Sequence, residues 1–326
     1  MRQFVGSAYG SLDAFAITEG DISSPAEEEV RIRIEAAALG FVDGLIALGR
    51  YQIRPPLPYV PGGEIAGIVD AVGPSVDTFS VGDRVVTWQL GGGLAEYVNA
   101  NAKDLDKIPA GLDATAAAAM LVDYQTAHYA LFERGRLRQG ETILVLGAAG
   151  SVGSAAVQLA ARAGAYVIAA ASTERKREIA LQLGAALTID SSAPDLRARL
   201  KAAAPGGTVD VVFDPVGGET FEAMFRSLAK EGRHLVVGFA SGRIPSLPAN
   251  LPLLKSAALV GVEIRHFLAT HPIEARRTRM ALFESVASGA LKKPSVATFP
   301  LERADEALAA TMRRDKAGKV VVVIKP

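Results

Sequence analysis

The chain of 326 residues contains no cysteine. Disulfides, thiol nucleophiles, iron–sulfur clusters and thiolate zinc sites are excluded together. It also carries no excess of either charge, because 35 Lys and Arg balance 35 Asp and Glu. That balance argues against a general positive field for nucleic acid or an acidic membrane surface. No uncharged apolar stretch approaches the roughly 18 residues of a membrane span, and residues 1–15 lack the pattern of a targeting segment. The expectations are no nucleic-acid partner, no membrane and a cytoplasmic location. What is present, 49% hydrophobic residues and 32 glycines, fits a globular α/β protein, and the length makes two domains the prior.

The first 120 residues read as short strands separated by Gly/Pro turns. Residues 30–34 alternate apolar and charged side chains with period two, residues 65–72 are an apolar run stopped by Gly73-Pro74, and residues 84–88 follow Gly82-Asp83. Beyond residue 120 the rhythm changes. Strand-length apolar runs at 142–146, 166–171, 209–213 and 235–237 alternate with helical stretches at 154–163, 175–183 and 221–228. This alternation predicts a doubly wound parallel sheet. An apolar segment at 257–262, helices at 273–288 and 303–313 and a closing strand at 319–324 follow. The last strand has the character of the first domain, so the reading is α/β: a mainly-β domain, 1–121 and 265–326, with a Rossmann domain, 122–264, inserted in it.

The strongest local signal runs from Gly147 to Gly153, between a predicted strand and a predicted helix. Aligned on the dinucleotide fingerprint, Ala148 stands at the first glycine position, Gly150 at the second and Gly153 at the third. Gly150 lets a pyrophosphate approach the backbone, Gly153 lets the helix pack on the strand, and the N–H groups of Ala149, Gly150, Ser151, Val152 and Gly153 face the phosphate charge. The second strand of the unit ends in Ser172-Thr173-Glu174-Arg175-Lys176-Arg177, with no Asp or Glu at the strand end to take the ribose diol of NAD. Ser172 donates to a phosphate oxygen there, and Lys176, with Arg175 or Arg177 as weaker candidates, neutralises a 2′-phosphate. The predicted cofactor is NADPH.

Residues 57–69, with Pro61-Gly62-Gly63-Glu64 and Ala66-Gly67, and then Val81-Gly82-Asp83-Arg84-Val85, resemble the first domain of the medium-chain dehydrogenase/reductase superfamily. The best match within it is the zinc-independent quinone oxidoreductase family, to which the loop at 148–153, Asp214-Pro215-Val216-Gly217-Gly218 and Gly318-Lys319-Val320-Val321 are also similar. The resemblance covers essentially the whole chain. It implies a GroES-like mainly-β catalytic domain around a Rossmann domain, and a homodimer joined through an edge strand near Ala258 to Val262. Zinc-dependent relatives carry a histidine ligand at the place of Gly63 and a cysteine ligand near Gly40. Neither stands here. Hydride addition to a quinone or an α,β-unsaturated carbonyl is then easier than alcohol oxidation, because the charge it develops is delocalised and needs only hydrogen-bond donors and a proton.

The resemblance also assigns roles. Tyr51 matches a tyrosine at the substrate site, Thr126 a threonine beside the nicotinamide, Phe239 part of the segment that touches the nicotinamide, and Lys319 a strand that approaches the cofactor. Apart from the resemblance, Phe41, Trp88 and Phe239, with Phe267 as a further candidate, read as the lining of an apolar substrate pocket. One departure stands out: many quinone reductases have asparagine before Phe-x-Asp, where this chain reads Gly40-Phe41-Val42-Asp43. The four histidines, His128, His234, His266 and His271, show no strong metal-ligand spacing and read as surface or hydrogen-bonded residues. The leading function is an NADPH-dependent reductase of quinones or enones. An enoyl-CoA thioester reductase and a non-catalytic NADPH-binding protein are the alternatives.

Overall fold

The computed structural model describes residues 1–324. The last two positions of the expected C-terminal segment, 325 and 326, lie outside them. The chain forms two compact units, one from Met1 to Val122 together with the chain from Arg279 on, the other from Asp123 to Thr278.

The first unit is built on a mixed sheet. Among the described residues its strands run in the order Val296–Pro300, Lys319–Val323, Glu29–Leu39, Glu64–Val72, Arg84–Trp88 and Leu105–Lys107, with Tyr97–Asn101 also paired to Glu29–Leu39. The long strand Glu29–Leu39 begins with strict alternation of buried and half-buried positions and ends in four consecutive buried residues. Its C-terminal half is flanked by the antiparallel strands Glu64–Val72 and Lys319–Val323. Ile34, Leu39, Ile46, Ile65, Leu94, Leu308 and Val322 meet in one core around that region. The closing strand therefore belongs to the same sheet as the first domain's strands, as its composition suggested. A short helix, Phe41–Ala47, was not foreseen; it starts where Asp43 Oδ2 accepts the Gly40 N–H at 2.7 Å.

The second unit carries six parallel strands: β1 (Thr142–Leu146), β2 (Tyr166–Ala171), β3 (Leu187–Asp190), β4 (Val209–Asp214), β5 (Leu228–Val236) and β6 (Ala258–Gly261). Their order is β3-β2-β1-β4-β5-β6, with every neighbouring pair parallel. This is the doubly wound arrangement that the alternation predicted, and ligands of such sheets lie at the C-terminal strand ends where the order reverses. All five residues of β1 are buried, which explains why it reads as an unbroken apolar run. One predicted element differs. The helix expected at 221–228 stops at Phe225, because Leu228 already begins β5 and pairs with Val209.

Candidate functional site

In the second unit, β1 leads into a tight turn and then helix α1 (Ser151–Arg162). Gly147 holds φ +58°, so the left-handed position that a turn of this kind needs falls on it rather than on Ala148, which is fully buried. A Cβ on Gly153 would lie 2.2 Å from the Gly147 carbonyl oxygen, and one on Gly150 would lie 3.2 Å from it. The close approach leaves no room for a side chain at 153. Ser154 N–H makes the first bond of the helix, to Gly150 O at 2.9 Å, so the N–H groups of Ser151, Val152 and Gly153 precede the helical ladder. The first turn also contains no acid. This is an anion cradle of the kind that a dinucleotide pyrophosphate fits.

At the end of β2, Ser172 is exposed, Thr173 caps helix Glu174–Gln182 by accepting the Lys176 N–H, and Lys176 lies half-buried in its first turn. Arg177 is turned back, donating to Ala171 O at 3.2 Å and pairing with Asp190 at 3.6 Å. Of the three cations, Arg177 is thus partly spent on the fold. Thr126 is buried on helix Asp123–His128, which Tyr124 ties to α1 by accepting from Gln158 Nε2 at 2.9 Å. Phe239 lies beyond β5, against Gly217, where a Cβ would meet its ring at 2.9 Å. Phe267 is stacked on Tyr129 at 4.4 Å between ring centroids, which occupies one face of the ring.

In the first unit, several of the singled-out residues come together around two glycines. Asp43 accepts from Gly40 N at 2.7 Å and from Gly62 N at 3.3 Å, and so bridges the helix start and the Gly62-Gly63 turn. Burial pushes its carboxyl above the ordinary value, against the opposing pull of the Gly40 amide and the Lys319 ammonium. Lys319 is only 2% exposed, and its Nζ donates to Glu64 Oε1 at 2.5 Å. Glu64 Oε2 accepts the Val122 N–H at 3.0 Å. Trp88, 38% exposed, ends its strand with its indole N 3.4 Å from where Gly63 would carry a Cβ. Phe41 opens the short helix, and Tyr51 packs half-buried against the core that contains Tyr59.

The donors that a zinc ion would need do not fit here. A Cβ on Gly63 would stand 2.3 Å from the backbone oxygen of Gln89, so no imidazole can be carried at that position without moving the strand end. At Gly40 the space is open to 3.7 Å, but the nearest atoms are Asp43 Oδ2 and the Lys319 ammonium, a cation already in the neighbourhood. Among the described residues, no group of three or more His, Cys, Asp and Glu could hold a metal ion.

Two features escaped the sequence reading. The Glu64–Lys319 pair joins residues far apart in the chain, with no local signal to announce it. His234 is hydrogen-bonded, one of the two readings given for it, but its full burial and its partner Asp214 were not foreseen, and only one of its ring nitrogens has a partner. The available hint was a histidine standing directly before the short apolar run Leu235-Val236-Val237.

Comparison with known proteins agrees with this arrangement. Residues 26–110 match the family model for the alcohol dehydrogenase GroES-like domain, and residues 151–277 match that of the zinc-binding dehydrogenases. A quinone oxidoreductase-like protein 2 homolog of Nematostella vectensis is 36% identical over 91% of this chain and 82% of its own length. The Escherichia coli quinone oxidoreductase, solved in complex with NADPH, superposes with a TM-score of 0.91 at 29% identity, covering 99% of this chain and 100% of its own. The CurK enoyl reductase superposes with a TM-score of 0.88 at 27% identity over 99% of each chain. The chain belongs to the quinone-oxidoreductase-like, zinc-independent family of the medium-chain dehydrogenase/reductase superfamily.

Proposed function

We infer that this chain is an NADPH-dependent oxidoreductase that delivers a hydride to a quinone or an α,β-unsaturated carbonyl without a metal ion. The observation that carries the reading is the glycine turn from 147 to 153, followed by a strand end with Ser172 and Lys176 in place of an acid. When bound, NADPH supplies the hydride. The chain's own residues bind and orient. The amides of Ser151, Val152 and Gly153 take the pyrophosphate, over a turn at Ala149 and Gly150 in which the Gly150 N–H is spent on Gly147 O at 2.9 Å; Ser172 and Lys176 take the 2′-phosphate, and Phe239 and Thr126 the nicotinamide. Tyr51 donates a hydrogen bond to the acceptor oxygen, and Phe41 and Trp88 line an apolar acceptor pocket. Lys319 stands in this reading as a buried cation held by Glu64 next to Gly40 and Asp43. Charge that develops on the acceptor spreads over a conjugated system, so fixed donors suffice to stabilise it.

The first compact unit is the catalytic domain in this reading and the second the dinucleotide domain. The chain works as a homodimer joined along β6: that strand is a sheet edge, exposed over most of its length, and Leu253 and Leu254 just before it are 79% and 69% exposed. Sedimentation of wild type against a Leu259→Lys variant tests that edge. No helix among the described residues is long and apolar enough to cross a membrane. A cytoplasmic location completes the reading, and cell fractionation tests it.

The direct test is turnover of a panel of quinones, alkenals and enoyl thioesters with NADPH and NADH in parallel, with and without a chelator. Quinone or alkenal reduction with NADPH, unaffected by the chelator, is the expected result; no NADPH oxidation with any acceptor sinks the reading. Lys176→Ala should weaken NADPH roughly ten- to a hundredfold, the loss of one charge-assisted bond, and leave NADH within about twofold. Equal losses for both cofactors would place Lys176 away from the 2′-phosphate. The likeness to an enoyl reductase favours an enoyl thioester as the second reading, and crotonyl-CoA against phenanthrenequinone separates the two. In that second reading Arg50, Arg54, Arg243 and Arg265 are the cations available for the CoA phosphates; Arg54 donates to Gly49 O, and Arg243 and Arg265 are paired with Glu219 and Glu263.

A further inference from the structure

The β4 strand ends in Asp214, and the loop that follows is laced to the segment after β5. Asp214 O accepts from Val237 N at 2.9 Å and Gly238 N at 3.3 Å, Pro215 O accepts from Ala240 N at 3.1 Å, and Val216 O accepts from Ser241 N at 3.0 Å. The Asp214 side chain shapes the loop from inside, its Oδ1 accepting the N–H groups of Val216 and Gly217, each at 2.8 Å. Pro215 and Val216 also stand over the glycine turn: a Cβ on Gly147 would meet Val216 at 3.2 Å and Pro215 at 3.6 Å. The carboxylate thus holds the 215–218 loop directly, and through that loop's backbone and side chains it bears on the 237–241 segment with Phe239 and on the turn at Gly147.

The second oxygen of that carboxylate has a single partner. His234 Nε2 lies 3.0 Å from Asp214 Oδ2, and both side chains have no exposure. His234 sits on β5 opposite Val212, two residues before the level of Asp214, so its ring leans forward along the strand to reach it. The carboxylate accepts, which puts the proton on Nε2. Phe221 at 4.2 Å and Phe225 at 6.0 Å, centroid to centroid, flank the ring, and Nδ1 is buried without a partner. A buried polar atom left unpaired costs stability. If packing were the only demand, an apolar residue would serve better at this site. The ring's one polar service is to Asp214.

We propose that His234 is a positioning residue: through Asp214 it fixes the 215–218 loop and the 237–241 segment at the C-terminal end of the sheet, and so sets the seat of the dinucleotide. The proposal rests on the NADPH reading above. His234 reaches neither cofactor nor acceptor in it; it acts by denying the Asp214 carboxylate a second rotamer, the service that outer partners perform for first-contact groups.

Two variants and one spectrum test this. His234→Leu keeps bulk and removes the donor, whereas His234→Gln keeps a donor near the place of Nε2. With the fold checked by melting, His234→Leu should weaken NADPH binding about tenfold or more and lower kcat similarly, with acceptor KM within about twofold, while His234→Gln stays within about threefold of wild type. Leucine and glutamine variants that behave alike, or a leucine variant that binds NADPH as wild type does, overturn the proposal. Should His234→Leu fail to fold, NMR of wild type with isotope-labelled histidine decides. The His234 signal, identified by its loss in His234→Gln, should report an Nε2–H tautomer that shifts on saturation with NADPH, and an unmoved signal overturns the proposal. A wild-type protein that binds no NADPH in the same titration refutes the cofactor reading itself and takes this proposal with it.

Discussion

Gly153→Ala is expected to bind NADPH roughly a hundredfold more weakly than wild type and to melt earlier. The added methyl would fall 2.2 Å from the Gly147 carbonyl oxygen and 2.9 Å from its carbon, and these are backbone atoms that no rotamer change can move aside. Either the start of α1 shifts away from the turn or the turn opens. In both cases the amides at 151–153 leave the positions from which they meet a phosphate, and a misplacement of about 1 Å in such a site costs on the order of a hundredfold. Overpacking of this kind destabilises by about 1–3 kcal/mol. At about 2–4 °C per kcal/mol for a protein unit of this size, Tm should fall by roughly 2–12 °C. Fluorescence titration with NADPH and a thermal melt read both effects, and a Gly153→Ala protein that binds within about threefold of wild type would show that the pyrophosphate lies elsewhere.

The second large effect is expected at the buried ion pair. Lys319→Met removes the ammonium from the Glu64 carboxylate, which is 5% exposed and also accepts the Val122 N–H. Removing one partner of a buried pair costs about 3–5 kcal/mol, because the charge that stays behind has lost both its counterion and water. The corresponding fall in Tm is about 6–20 °C. Lys319→Met combined with Glu64→Gln should recover at least half of that loss, since the glutamine amide oxygen still accepts from Val122 and the charge left unpaired at position 64 is gone, while Asp43 keeps its two backbone donors. Losses that simply add in the double variant would mean that the two side chains do not sense each other, and the pairing described here would be wrong.

Much of the fold was legible because its signals are local. β1 and β2 read as unbroken apolar runs since both faces of a parallel sheet are covered. The strand at 84–88 and the helix start at Gly150 were marked by their flanking glycines. The helix at Phe41–Ala47 was not, because its seven residues are too few for the apolar period to declare itself and its cap is Asp43, inside the helix. The helix predicted to reach 228 was cut short by a strand pairing, a long-range bond that residues 221–228 do not advertise.

The candidate site divides in the same way. The glycine turn and the missing acid after β2 are statements about residue types at fixed spacing, and they were complete in the sequence. So were the absence of cysteine and the glycines at 40 and 63, which remove zinc ligands wherever the chain folds. What only the tertiary structure decided is which charges and polar groups are buried together. Lys319 reads as a surface or cofactor cation until the closing strand is paired beside Glu29–Leu39 and its ammonium meets Glu64. His234 reads as one histidine among four until β4 and β5 are set in register and it meets Asp214. Propensity and motif spacing act between neighbours in the chain, whereas desolvation and ion pairing act between neighbours in space, and those are chosen by the sheet register.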